Sequence, residues 1–227
     1  MGTLADYEVD EATLSVDGTE PLSAELIARI SQVCDLAESP EPPERVVLRV
    51  SGVPGRSWTG QAAGVALVNR WERALRRLER LPLVTVAVVD GDCGGPALDA
   101  LLVADYRLAT ASARLVVSTE AGSTWPGMAL FRLVNQGSNA SSVRRAALFG
   151  DPIDARLALS LALIDEVTDD VPEALARVAA KTAEFSGPEL AVRRQLLLDA
   201  GCTPYDEALG AHLAACDRAL RKAGAAS

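Results

Sequence analysis

Two stretches place glycine where a strand would give way to a helix: Ser51-Gly52-Val53-Pro54-Gly55-Arg56-Ser57-Trp58-Thr59-Gly60 and Asp90-Gly91-Asp92-Cys93-Gly94-Gly95. A helix N-terminus presents N–H groups that lack intrahelical partners, and in parallel α/β folds ligands collect at the C-terminal ends of the strands. Two such turns lying side by side would aim two backbone donors at one oxygen. That arrangement suits an oxyanion such as a thioester enolate. Neither stretch has the spacing GxxxxGKS or GxGxxG, so nucleotide-binding readings are weak. On their own, both stretches also read as ordinary turns.

Other chemistries find few residues. His212 is the single histidine, and a Ser-His-Asp triad or a His-based metal site would have to use it. It stands in an alanine-rich amphipathic stretch, where a helix-surface or interface histidine is the plainer reading. Cys34, Cys93, Cys202 and Cys216 are scattered without CxxC spacing, which speaks against a disulfide framework or zinc site and fits a reducing cytoplasm. Cys93 lies in the glycine turn, but no histidine is near it in sequence to activate a thiol nucleophile. Lysine occurs only at Lys181 and Lys222, so cationic contacts to a ligand fall to arginine.

The elements that would carry these turns alternate between strand and helix. Thr13–Val16 reads as a short strand, and Leu22–Ala37 repeats apolar residues at helical spacing. The breaker run Ser39-Pro40-Glu41-Pro42-Pro43 separates them from the β-branched strand Arg45–Val50. Gln61–Arg80 is a helix rich in Arg and Glu, and its part from Arg70 to Arg80 is read as a solvated face or subunit contact. Pro82 ends it before the buried strand Leu83–Val89. A helix through Leu98, Leu101 and Leu102 follows the second turn, then short strands at Tyr106–Ala109 and Arg114–Val117. Trp125-Pro126-Gly127 opens a mostly helical remainder, with Val171–Phe185 and Pro188–Ala223 its clearest helices. The pattern predicts an α/β fold with parallel crossovers.

Composition bounds the rest. The 227 residues make one domain, or one domain with a terminal extension, and 49% hydrophobic residues supply a core. Aromatics are only 4%, so the core must be aliphatic. A net charge of −9 argues against general nucleic-acid or anionic-membrane binding. No basic, then apolar N-terminal leader and no membrane-length apolar run is visible, which predicts a cytoplasmic protein.

The run Leu83–Gly91, then Gly94-Gly95, then Ala104-Asp105-Tyr106-Arg107-Leu108-Ala109 resembles the crotonase (enoyl-CoA hydratase/isomerase) superfamily. Further matches follow in the same order: Ala113-Arg114-Leu115, Trp125-Pro126-Gly127, and Leu148-Phe149-Gly150-Asp151-Pro152-Ile153-Asp154-Ala155 through Leu163-Ile164-Asp165-Glu166-Val167. The likeness spans about residues 22–223. It implies a ββα spiral core over residues 1–170 and a C-terminal helical trimerisation region over 171–227. It also implies an acyl-CoA substrate, with CoA part of the substrate and no further cofactor or metal.

Carried over by position, the resemblance puts the oxyanion donors at Thr59 or Gly60 and at Gly95. Pro96, which has no N–H, falls where the family usually has the second donor. The family's first catalytic glutamate matches Asp99, eight residues after Gly91. The second falls on Thr119, with Glu120 beside it. Asp99 and Glu120 together would form a carboxylate pair for moving protons. Read without the resemblance, Asp99 is a first-turn helix acid and Glu120 a solvated loop residue. Arg56 stands where relatives hold a basic residue against CoA phosphates. Trp58 and Trp125 would line an acyl pocket, and core packing accounts for them as well. The short chain and the Gly91–Asp99 stretch look most like a branch of the family serving dihydroxyphenylglycine formation in antibiotic biosynthesis. That likeness implies dehydration of a polyketide-CoA, a homo-trimer or hexamer, and a type III polyketide synthase as a partner. Departures at Pro96 and Thr119 keep a second reading open, a catalytically degenerate partner that stimulates the synthase.

Overall fold

In a computed structural model, the structure describes residues 7–8, 11–55, 64–120, 123–137, 140–201 and 203–225. Tyr7–Glu8 (β1) pairs antiparallel with Glu11–Asp17 (β2). Three parallel pairings then run through β2, Arg45–Gly52 (β3), Val84–Gly94 (β4) and Tyr106–Ala109 (β5). Glu166–Val167 (β10) extends the sheet in parallel on the far side of β5. Val46, Val47 and Leu48 of β3 and Val84 to Val89 of β4 are all buried, as expected of central parallel strands covered on both faces.

The pleat divides these side chains between two cores. Leu48, Val50, Ala87 and Val89 pack with Leu26, Ile30 and Val33 of Ala24–Ala37 (α1) and Trp71, Leu75 and Leu78 of Val65–Leu78 (α2). Val47, Val86, Val88 and Leu108 face Ala174 and Val178 of Val171–Thr182 (α7) and Leu190 of Pro188–Ala200 (α8). Helix starts are set by short polar caps. Ser23 Oγ accepts from Leu26 N at 3.1 Å, and Asp170 from Glu173 N at 2.9 Å, each worth about 1 kcal/mol.

The strand β4 is longer than its sequence suggests. Asp90-Gly91-Asp92-Cys93-Gly94, expected to be loop, continues the strand: Asp92, Cys93 and Gly94 pair with Arg114, Leu115 and Val116 of Arg114–Val116 (β6). Gly91, at φ +66°, is the joint at which β4 leaves β5 and takes β6 as its partner. β6 in turn pairs antiparallel with Ile153–Asp154 (β9), which lies between the helices Ala129–Gln136 (α4) and Ala140–Phe149 (α5) on one side in sequence and Ala155–Ser160 (α6) on the other. This change of partner within one strand gives the core its spiral. The expected helix Pro188–Ala223 is broken into α8 and Tyr205–Ala225 (α9), because Gly201 and Pro204 interrupt it.

One buried arginine ties the C-terminal region to the sheet. Arg194 of α8 donates from Nε to Asp105 Oδ1 at 2.7 Å and from Nη2 to Asp105 Oδ2 at 2.6 Å. Its remaining donors reach the carbonyls of Leu81 and Leu83. Thr85 donates to the same Asp105 carboxylate from its N–H and its hydroxyl. Among the described residues, no helix is long and apolar enough to cross a membrane.

Candidate functional site

The ends of β2, β3 and β4 meet so closely that only glycine fits. A Cβ on Gly18 would fall 2.2 Å from Gly52 O and 2.5 Å from Gly94 O. A Cβ on Gly95, whose φ is +54°, would fall 2.3 Å from Pro54 Cγ. The beginning of the first turn therefore packs directly on the second. Its remainder, including Arg56, Trp58, Thr59 and Gly60, lies outside the described residues.

Gly95 caps the short helix Pro96–Leu101 (α3), and its carbonyl accepts from Asp99 N at 3.0 Å. Pro96 occupies the first helical position, where a missing N–H costs the helix nothing but removes a donor from the site. A small cavity opens beside this turn, lined by Gly95, Leu98, Ser118, Thr124, Trp125 and Ala129. Its volume is about 10 Å³, the space of about one water or one carbonyl oxygen.

Asp99 is wholly buried behind this cavity. Its Oδ2 accepts two indole N–H bonds, from Trp71 at 3.1 Å and Trp125 at 2.9 Å. Its Oδ1 has no hydrogen-bond partner among the described residues. Burial, reinforced by the nearby Glu72 carboxylate, raises the Asp99 pKa from 3.8 to about 7. The two indole N–H groups and Arg132 pull the other way without reversing it. Gly127 makes room for the carboxylate, because a Cβ there would stand 2.0 Å from Oδ2. Glu72 is held in turn by Met128 N at 2.9 Å and Arg132 Nη2 at 3.0 Å.

Thus Asp99, Gly95 and Trp125, singled out in the sequence, lie together: Trp125 lines the cavity and donates its indole N–H to Asp99. Thr119 and Glu120 form a two-residue strand (β7) paired with Ser123–Thr124 (β8), a hairpin the sequence did not announce. The Glu120 side chain lies outside what the structure describes. Cys93 is fully buried, and desolvation with the Asp99 and Asp92 charges pushes its thiol well up, opposite to what a nucleophile needs. Among the described residues, no group of three His, Cys, Asp or Glu side chains could hold a metal.

Trp71 was not singled out in the sequence, nor were Glu72, Ser118 and Arg132. The signal for Trp71 was available: Trp71, Leu75 and Leu78 repeat at helical spacing inside the Arg/Glu-rich segment, and that face is buried rather than solvated.

No protein-family model matches the chain. It is 47% identical over 212 residues to an enoyl-CoA-hydratase of Amycolatopsis orientalis, covering 93% of this chain and 97% of that one. A crystal structure of an enoyl-CoA hydratase from Polaromonas sp. JS666 superposes with a TM-score of 0.80 at 19% identity, over 95% of this chain and 90% of that one. An enoyl-CoA hydratase/isomerase family protein from Silicibacter pomeroyi gives 0.76 at 19% identity, over 95% and 97%. At such identities the two structures speak for the fold alone.

Proposed function

Since the chain belongs to the crotonase (enoyl-CoA hydratase) superfamily, we propose that it binds an acyl-CoA thioester at the Gly95 turn and removes or adds water across C2 and C3. The observation that carries this reading is the packing of the first turn on Gly95 beside a cavity the size of one oxygen. The thioester oxygen occupies that cavity. The Gly95 N–H and a donor at Thr59 or Gly60 stabilise the charge it gains. Arg56 meets the CoA phosphates, and Trp58 and Trp125 border the acyl group.

In the dehydration direction a base takes the C2 proton, and the C2 electron pair moves into the carbonyl to give the enolate. The enolate then expels the C3 hydroxyl as water, with a proton from an acid. Asp99 is that acid, since a carboxyl with a pKa near 7 still carries its proton near neutrality. Glu120 is the base. The 47% identity to the Amycolatopsis enoyl-CoA-hydratase supports the reaction class. The preferred substrate is a cyclised polyketide-CoA on the way to dihydroxyphenylacetyl-CoA, where aromatisation supplies driving force and weak acid–base groups suffice.

A second reading rests on two observations. Pro96 lacks the N–H at the family's donor position, and Asp99, its Oδ2 held by Trp71 and Trp125, does not line the cavity. Both favour a catalytically degenerate protein that stimulates a type III polyketide synthase by contact. Dehydration or hydration assays on crotonyl-CoA and on the synthase product, with wild type, Asp99→Asn and Glu120→Ala, decide between them. The enzyme reading expects at least a hundredfold loss in Asp99→Asn. Unchanged turnover in both variants, with synthase stimulation retained, overturns it.

A further inference from the structure

Ser118 also lines the cavity beside Gly95. Ser118 is 8% exposed, and its Oγ has no hydrogen-bond partner among the described residues. That hydroxyl is held against the glycine turn: a Cβ on Gly94 would lie 2.7 Å from it. Its backbone is fixed on either side, because Ser118 O accepts from Trp125 N at 2.9 Å and β6 ends two residues earlier. A buried hydroxyl without a partner is costly to the free protein, so a partner is expected when the site is filled.

We propose that the Ser118 hydroxyl is a side-chain donor to the thioester oxygen, standing in for the amide that Pro96 cannot supply. The inference rests on the acyl-CoA reading and adds a residue to it. A serine hydroxyl rotates freely, so its hydrogen follows an oxygen that enters beside Gly95. As C2 loses its proton, charge accumulates on that oxygen, and the O–H···O⁻ bond shortens and strengthens. The bond is thus made more strongly in the enolate than in the keto ester, which is the condition for accelerating the step. Removing one such donor lowers turnover by roughly 10²–10³-fold.

Acetoacetyl-CoA tests this directly, because its enolate has a near-ultraviolet band that the keto form lacks. Wild type should bind it partly as the enolate. Ser118→Ala should bind free CoA equally well, show at least a tenfold smaller enolate fraction, and melt at the same or a higher temperature. Ser118→Cys, a weaker donor, should fall between them. An undiminished enolate band in Ser118→Ala overturns the role of Ser118 alone. So does a loss accompanied by a lowered melting temperature, which marks a structural hydroxyl satisfied by water. Wild type that binds acetoacetyl-CoA wholly as the keto form also overturns it. Wild type that binds neither acetoacetyl-CoA nor CoA overturns the acyl-CoA reading itself, and the proposal with it.

Discussion

The two oxygens of Asp99 differ in a way that titration can reveal. Oδ2 is occupied by the indoles of Trp71 and Trp125, so an added proton resides on Oδ1. The charged groups that bear on it are Glu72 and Arg132, with Cys93 neutral beside it. Because its pKa is raised from 3.8 to about 7, the folded state holds a proton that the unfolded state has released between those values. Stability from this group is therefore fully present below about pH 4 and declines as pH rises to about 7, by up to about 4 kcal/mol. The melting temperature of wild type, measured against Asp99→Asn over that interval, should fall by several degrees more than the variant's. Trp71→Phe removes a donor that favours the charged form, so the carbonyl stretch of the protonated acid should persist to higher pH in infrared spectra. If Asp99 is the acid, kcat/KM should fall as pH passes its titration, and that fall should move upward in the same variant.

At the scale of elements, the short helix α3 holds the informative exception. Proline at its first position is favourable for the helix and unfavourable for an oxyanion site, because the same N–H is an orphan in one role and a donor in the other. Pro96→Ala restores that N–H. It should lower stability by about 0.4–1 kcal/mol through the freer unfolded chain. In the Ser118→Ala background it should raise acyl-CoA turnover by about tenfold, since the restored N–H replaces the lost hydroxyl, as measured by initial rates, with urea unfolding reporting stability. The strands β2 to β4 and the helix α1 were legible because their β-branched runs and helical spacing agree with where they pack, whereas α2 was legible as a helix but not in its buried face. The second half of β4 was not, since Asp90-Gly91-Asp92 has the composition of a turn and only the ladder to β6 makes it strand. Pro96 and Asp99 could be located by laying the run from Gly91 to Asp105 on the family's pattern. The indole pair on Asp99 could not, because Trp71 on α2 and Trp125 in the loop after β8 lie on either side of α3 in the chain. For Arg56, Trp58, Thr59 and Gly60, the reading stays with the sequence.

At the scale of the whole molecule, the C-terminal helices are bound to the core unevenly. The buried Arg194–Asp105 pair and the apolar face of α7 fasten the region's first part to the sheet. The last helix is different. On α9, Leu209, Leu213 and Leu220 are 41%, 59% and 73% exposed, and the pair Arg218–Glu189 at 3.1 Å joins it to α8. Those leucines are spaced i, i+4 and i+11, which keeps them on one side of a helix. An isolated chain would leave that stripe in water, at about 25 cal/mol for each Å² that a second copy could cover. The homotrimer or hexamer proposed from the family resemblance would cover it. Light scattering of the purified protein should then give a mass of three or six chains. Leu213→Asp should dissociate the assembly while leaving the far-ultraviolet circular dichroism of the chain unchanged, because α9 contributes no described residue to either core cluster. A monomeric wild type, or an assembly indifferent to Leu213→Asp, would remove this stripe from the subunit contact.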